Sequence, residues 1–349
     1  MGTGPLARGG LLLLVLSLLL VAPVTAGLRV PPGFTVRVYV TGQGFSAAAG
    51  YTGMPSSSTM GFDETGVLYM ARTGRRYVTG GEIEDLWRLY RIPSGGGRLT
   101  PDNEKAFLHG PPLPNPQVAL VRGGRDLFVT TYDRDRKVGV VYSVRDGRAE
   151  WFAGGTPARG QAPLLQQPEG AAADRSGNLY VADREQGVIV KLDPTGRVLE
   201  PRWLVVTRPR TLAMDQADHL WVGSDGGAPA PWQQGPGMIL RVDPNGEPHV
   251  VVRGPVAAAL AIGPGGRAFV ADRHNPSVFI LGPDGTRTEF AQFTNSDAPR
   301  SLTFAPVTPA TRQAGIAGDL FVVTIKRGAW PVNEVLRISG PFEELTGAR

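Results

Sequence analysis

The chain has 349 residues, of which 42% are hydrophobic, and it carries 47 glycines and 31 prolines. Its net charge is +5, and all but four of its 36 basic residues are arginines. This size and apolar content can build a large core, and the glycine and proline content favours many short strands joined by turns. Because nucleic-acid-binding proteins cluster basic residues on one face, the scattered arginines argue against a nucleic-acid partner.

The first residues follow the pattern of a secretory leader. Arg8 precedes an apolar run at residues 11–21, and residues 24–26 (Val-Thr-Ala) match an A-x-A-like cleavage site. The run is short for a membrane span, which needs about 20 apolar residues. We therefore expect residues 1–26 to be a signal peptide that is removed, and residues 27–349 to form one domain. The mature protein should be secreted or periplasmic, without stable membrane insertion.

One segment supplies the template of an internal repeat. Residues 169–196 read as a strand, a four-residue turn, a strand, a loop, a third strand and a second four-residue turn. Both turns, at 174–177 and 193–196, begin with Asp and end with Gly, as type I turns prefer. The middle strand alternates apolar and small residues, which indicates a packed sheet. Further copies lie at 60–72, 118–133, 212–225, 260–272 and 298–326, the last with an insertion at 305–318.

An aromatic residue marks the second strand of each copy. These markers are Tyr69, Phe128, Tyr180, Trp221, Phe269 and Phe321. Successive markers lie 41 to 59 residues apart, and a propeller blade of four short strands occupies about 40–50 residues. The chain is therefore predicted to be all-β, with the architecture of a six-bladed β-propeller.

The two ends of the repeat region predict how the ring closes. Residues 334–339 supply the third strand of the sixth copy, which has no fourth strand of its own. Residues 34–40 (Phe-Thr-Val-Arg-Val-Tyr-Val) alternate as a strand does, and they precede the first copy. Pairing these two segments would remove both exposed sheet edges. We therefore expect the N-terminal strand to close the last blade.

These repeats resemble a known group of proteins. The Asp-ended second strands and the Asp-Pro-x-Gly turns resemble NHL repeats, and residues 27–349 resemble the six-bladed superfamily of SMP-30/gluconolactonase-like proteins. A weaker resemblance to quinoprotein sugar and sorbosone dehydrogenases rests on residues 30–39 and on Lys326-Arg-Gly-Ala-Trp330. The lactonase branch implies a divalent cation such as Ca²⁺, which suits oxygen ligands. The quinoprotein branch implies the cofactor PQQ.

Equivalent positions of a closed radial repeat converge on its axis, at the mouth of a central channel. Positions just before each innermost strand, and in the loops after each second strand, are therefore candidate ligand contacts. They include Gln117, Glu169, Arg184, Arg210, Trp232, Arg273, Arg300, Lys326 and Trp330, with Asp225 in the same set of loops. Carboxylate, guanidinium and aromatic groups together suit a small polar or sugar-like molecule, oxygen-rich or anionic.

Catalytic and metal-binding roles have narrower candidates. Glu169 and His274 could act as acid–base groups, and Glu169, Asp183 and Asp272 could hold a metal ion. Structural alternatives stay open for each of them. Asp183 and Asp272 could form Asx turns, Glu169 could pair with Arg184 or Arg210, and His274 could be a surface residue.

Three functions remain open at this point. The first is a propeller that binds a small polar ligand, the second a metal-dependent lactonase-type hydrolase, and the third a quinoprotein-like sugar oxidoreductase. The fold alone does not choose among them, and no GxSxG, HExxH or P-loop motif occurs in the chain. We expect the protein to be a monomer.

Overall fold

The computed structural model describes residues 27–42, 57–72, 76–78, 81–83, 86–227, 235–272, 274–294, 297–325 and 333–345. The leader predicted at 1–26 lies outside these residues. The N-terminal segment forms β1 (Leu28–Arg29) and β2 (Thr35–Gly42). Blade 1 and its connections follow, with β3 (Ser57–Phe62), β4 (Leu68–Arg72), β5 (Arg76–Val78), β6 (Gly81–Ile83), β7 (Leu86–Ile92), β8 (Gly97–Leu99), α1 (Glu104–Phe107) and β9 (Leu108–Pro114).

The next four blades each contain four consecutive antiparallel strands. Blade 2 contains β10 (Gln117–Val121), β11 (Asp126–Asp133), β12 (Val138–Arg145) and β13 (Arg148–Gly154). Blade 3 contains β14 (Pro168–Ala173), β15 (Leu179–Asp183), β16 (Val188–Leu192) and β17 (Val198–Val205). Blade 4 contains β18 (Pro209–Met214), β19 (Leu220–Ser224), β20 (Gly237–Val242) and β21 (Pro248–Gly254). Blade 5 contains β22 (Ala257–Ile262), β23 (Ala268–Asp272), β24 (Ser277–Leu281) and β25 (Arg287–Phe293).

Blade 6 confirms the predicted closure of the ring. It contains β26 (Ala298–Phe304), α2 (Pro309–Gln313), β27 (Leu320–Ile325) and β28 (Asn333–Ser339). The N-terminal strand β2 pairs antiparallel with β28, with Thr35 opposite Ser339 and Val40 opposite Val335. The innermost strands β26 and β3 of blades 6 and 1 are also in contact. The molecule is therefore an all-β, six-bladed propeller, as the repeat predicts.

Two further pairings hold the N-terminal segment. Strand β1 adds to the outer edge of blade 5, with Leu28 opposite Phe293. Strand β8 pairs parallel with the far side of β2, with Val40 opposite Gly97. The sequence pattern does not predict either strand, because each has only two or three residues. As a result, residues 28–42 join blades 5, 6 and 1.

The core lies between the blades. In the described part of the chain, buried apolar side chains form six clusters, each shared by two neighbouring blades. The marker aromatics account for this arrangement, because each packs toward the blade that follows it. Tyr180 belongs to the layer between blades 3 and 4, and Trp221 to the layer between blades 4 and 5. Adjacent blades therefore stabilise one another, as radial repeats require.

The turns follow the predicted chemistry. Asp174 accepts a hydrogen bond from the backbone N–H of Asn178, and Gly177 has φ +84°, a conformation that suits glycine. In blade 6 the insertion at 305–318 carries α2, which Thr308 caps. Among the described residues, no helix has the length and apolar character needed to cross a membrane.

Candidate functional site

The innermost strands β3, β10, β14, β18, β22 and β26 surround a central channel of about 1070 Å³. All six strands begin at the same end, which we call the mouth. The mouth is lined by Asn115, Gln117, Tyr132, Arg134, Glu169, Arg210 and Arg300. The opposite end is lined by the turns that join first and second strands, including Asp174 and Asp218. Four predicted contacts, Gln117, Glu169, Arg210 and Arg300, are therefore brought together.

Irregular strand pairing directs three of these side chains to the mouth. In blade 3, Pro168 pairs with Asp183 but Ala171 pairs with Val181, so the register shifts around Glu169. The same shift surrounds Arg210 in blade 4 and Arg300 in blade 6. A bulge leaves a residue unpaired and re-aims its side chain. The three residues thus lie within the innermost strands, whereas the sequence pattern places them just before these strands.

Glu169 is held by two carboxamides. Its Oε1 accepts a hydrogen bond from Gln167 Nε2 at 2.7 Å, and its Oε2 accepts one from Gln117 Nε2 at 3.2 Å. The hydroxyl of Thr130 donates to the Glu169 backbone oxygen at 2.6 Å. Within the described part of the chain, neither carboxylate oxygen of Glu169 forms an ion pair, so the pairing expected with Arg184 or Arg210 is not observed.

Burial raises the pKa of Glu169 above its usual value, although the side chain keeps some access to the channel. The charge of Arg210, the Gln167 hydrogen bond and the charge of Arg184 oppose this shift, while Asp225 adds to it. Desolvation dominates because hydrogen bonds to neutral amides compensate only part of the cost of burying a charge.

In the part of the chain that the structure describes, Asp225, and not Glu169, forms ion pairs with Arg184 and Arg210. This carboxylate is 1% exposed, and each of its oxygens accepts from a different guanidinium. Arg184 Nε lies 3.0 Å from Oδ2, and Arg210 Nε lies 2.8 Å from Oδ1. Arg184 follows the second strand of blade 3, whereas Arg210 belongs to blade 4, so the carboxylate joins two blades.

The guanidinium of Arg210 also reaches blade 5. Its Nη2 donates to the backbone oxygen of Ala257, and its Nη1 lies 3.3 Å from the backbone oxygen of Ala258. Blade 5 has Ala258 at the position equivalent to Arg210, which leaves room for this contact. Three of the five guanidinium N–H groups of Arg210 are therefore used within the protein.

The predicted metal candidates do not converge. Asp183 accepts from the backbone N–H groups of Gln166 and Gln186, at 2.6 and 3.0 Å. Asp272 accepts from the N–H groups of His274 and Asn275, at 2.9 and 3.1 Å, in the manner of an Asx turn. Among the described residues, no group of three His, Cys, Asp or Glu side chains is placed to hold a metal ion.

His274, the second acid–base candidate, does not line the channel. Its Nε2 is buried and has no hydrogen-bond partner in the described structure. Four other candidates, Trp232, Arg273, Lys326 and Trp330, lie outside the described residues.

Sequence reasoning missed Gln167 and Thr130, although both contact Glu169. Gln167 precedes its strand and matches no motif. Thr130 lies in the second strand of blade 2, 39 residues from Glu169. Only the position of Gln167, two residues before Glu169, is a signal that could have revealed it.

Comparison with solved structures agrees with the architecture. An auxiliary nutrient binding protein from Bacteroides thetaiotaomicron matches 86% of this chain and 76% of its own, with 12% identity and a TM-score of 0.54. The PQQ-bound aldose sugar dehydrogenase from Streptomyces coelicolor matches 89% of this chain and all of its own, with 12% identity and a TM-score of 0.52. A gluconolactonase from Xanthomonas campestris matches 84% and 88%, with 14% identity and a TM-score of 0.51.

The chain thus shares the six-bladed propeller fold of these structures. No protein-family model and no curated protein sequence matches the chain. At identities of 12–14% the structural likeness describes the fold alone, and the site has to be interpreted from its own residues.

Proposed function

We propose that this protein is an exported propeller that binds a small, hydroxyl-rich molecule at the mouth of its channel. The observation that carries the proposal is the environment of Glu169. It is a carboxylate that lines the channel, has two amide donors and forms no ion pair with a described residue. Each carboxylate oxygen can accept a second hydrogen bond, so ligand hydroxyl groups can complete its coordination.

Part of the positive charge around the mouth is neutralised within the protein. Asp225 neutralises part of the charge of Arg184 and Arg210, and Arg210 is further bound to blade 5. Glu169 and, in blade 6 across the axis, Arg300 also line the mouth, as does Arg134. A ligand that donates hydrogen bonds to Glu169 and accepts them from a guanidinium fits these groups.

The proposal is tested by binding measurements. The purified protein should be screened against neutral sugars, polyols and sugar acids by thermal shift, and the strongest compound titrated by calorimetry. Glu169→Gln and Arg300→Ala should each weaken its binding about tenfold or more, because a hydrogen bond to a charged group contributes about 1.5–3 kcal/mol. Glu185→Gln is the matched control, since Glu185 is exposed and does not line the channel. Unchanged affinity in both site variants would place the site elsewhere.

Export is supported by the leader pattern of residues 1–26. Mass spectrometry of the exported protein should give a chain that begins at Gly27. A mass that still includes residues 11–21 would contradict cleavage.

Metal-dependent lactonase and quinoprotein activities are alternatives that two measurements separate. Elemental analysis and an absorption spectrum should be recorded on the exported protein. A stoichiometric divalent cation without a quinone would favour the lactonase, and a quinone spectrum would favour the oxidoreductase. Neither signal would favour a binding protein.

A further inference from the structure

Glu169, Asp225, Arg184 and Arg210 form one electrostatic group, which we call the mouth cluster. Both guanidiniums contact Asp225 directly, and all three of these groups act on the pKa of Glu169 through their charges. The cluster contains two carboxylates and two guanidiniums, so its net charge is zero when Glu169 is ionised. Removing either carboxylate charge leaves one positive charge in excess.

Asp225 and Glu169, the two acidic residues of the mouth cluster, differ in their access to the channel. Asp225 is buried and does not line the channel, whereas Glu169 and Arg210 line it. A ligand at the mouth can therefore contact Arg210 and Glu169, while Asp225 acts on the ligand through its charge, without contact. Charges in such a partly desolvated site interact more strongly than they would in water.

We infer that Asp225 lowers the affinity of the mouth for anions, by neutralising part of the charge of Arg184 and Arg210. Arg134 and Arg300 add further positive charge at the same end of the channel. Asp225 is a charge-balancing residue in this account. The inference rests on the proposed location of the site at the mouth, but not on the identity of the natural ligand.

Arg210 would keep its place without the Asp225 charge. Its contacts with the backbone oxygens of Ala257 and Ala258 come from the neighbouring blade and do not involve Asp225. The guanidinium therefore stays at the channel wall when the carboxylate is replaced by a carboxamide. The excess positive charge would then be available to an anion in the channel.

The test is a calorimetric titration of the full exported chain with sulfate at constant ionic strength. Asp225→Asn should bind sulfate at least tenfold more tightly than the unaltered protein. The double variant Asp225→Asn/Arg184→Gln restores the zero net charge of the mouth cluster. Its affinity for sulfate should therefore return to within about twofold of that of the unaltered protein. Asp319→Asn is the matched control, because Asp319 is also buried against an arginine, Arg337, but does not line the channel.

A folded Asp225→Asn that binds sulfate no more tightly than the unaltered protein would overturn the inference. Equal tightening in the single and double variants would also overturn it, since a loosened structure rather than charge would be the cause. If Asp225→Asn does not fold, Glu169→Gln and Glu169→Gln/Arg184→Gln make the same comparison of charge. Tight sulfate binding in Glu169→Gln but not in its double variant supports the inferred role of charge, and any other result refutes it. Because sulfate is the probe, these outcomes do not depend on whether a hydroxyl-rich compound binds.

Discussion

Two threonines beside the channel differ in what their hydroxyl groups contact. Thr130 donates to the backbone oxygen of Glu169 at 2.6 Å and is fully buried. Thr211 has a buried Oγ1 without a hydrogen-bond partner in the described structure. A satisfied hydroxyl stabilises a fold modestly, whereas an unsatisfied one costs the free energy of its desolvation.

Replacing each threonine by the isosteric valine should therefore change stability in opposite directions. We expect Thr211→Val to raise the free energy of unfolding by about 1 kcal/mol, because it removes an unsatisfied polar atom. Thr130→Val should lower it by about 1 kcal/mol or more, because the Glu169 backbone oxygen loses its donor. Urea unfolding followed by circular dichroism measures both values. Destabilisation of equal size in the two variants would contradict the contrast.

At the scale of elements, β8 depends on a close approach between backbones. Gly96 has φ +81°, and a Cβ there would lie 2.2 Å from the backbone oxygen of Tyr39. This contact precedes the parallel pairing of β8 with β2. The hydroxyl of Tyr39 in turn donates to the backbone oxygen of Ser94 at 2.8 Å. The turn at 93–96 and β2 are thus fitted to each other.

Neighbouring glycines allow this fit to be tested. Gly96→Ala should lower the free energy of unfolding by about 2 kcal/mol or more, because the new methyl group meets backbone and the positive φ disfavours alanine. Gly95→Ala is the control, since a Cβ at Gly95 meets no atom within 4 Å, and its effect should stay within about 0.5 kcal/mol. Thermal and urea unfolding of the two variants would show this difference, and similar values would refute it.

At the scale of the whole molecule, the N-terminal segment closes the ring. It covers the outer edge of blade 5 through β1 and supplies the outer strand of blade 6 through β2. Its buried apolar side chains are Leu28, Phe34, Val36, Tyr39 and Val40. Each contributes about 1.5–3 kcal/mol on burial, so together they contribute about 10 kcal/mol, as much as the stability of a typical domain.

Deletion of residues 27–42 should therefore prevent stable folding. We expect the shortened chain to aggregate, because blade 6 would lose its outer strand and its apolar face would be exposed. Size-exclusion chromatography and thermal unfolding, compared with the chain that begins at Gly27, would detect this. A monomeric shortened chain with an unchanged melting temperature would show that closure contributes little.

The sequence by itself determined the number of blades, the position of the marker aromatics and the pairing of β2 with β28. These features follow from local regularities: alternation along strands, Asp and Gly at fixed turn positions, and a repeat length that matches one blade. The same regularities located Gln117, Glu169, Arg210 and Arg300 at the mouth, because equivalent positions of a ring converge.

Only the tertiary structure decided which partners these groups have. Sequence reasoning expected Glu169 to pair with an arginine, but Asp225 lies nearer to both guanidiniums and Glu169 contacts carboxamides. The backbone oxygens of Ala257 and Ala258 accept further hydrogen bonds from Arg210. Repeat periodicity specifies which blade and level a residue occupies, whereas ion pairs depend on distances of a few ångströms between different blades. Those distances are set by strand bulges and side-chain packing, which strand alternation and turn residues do not specify.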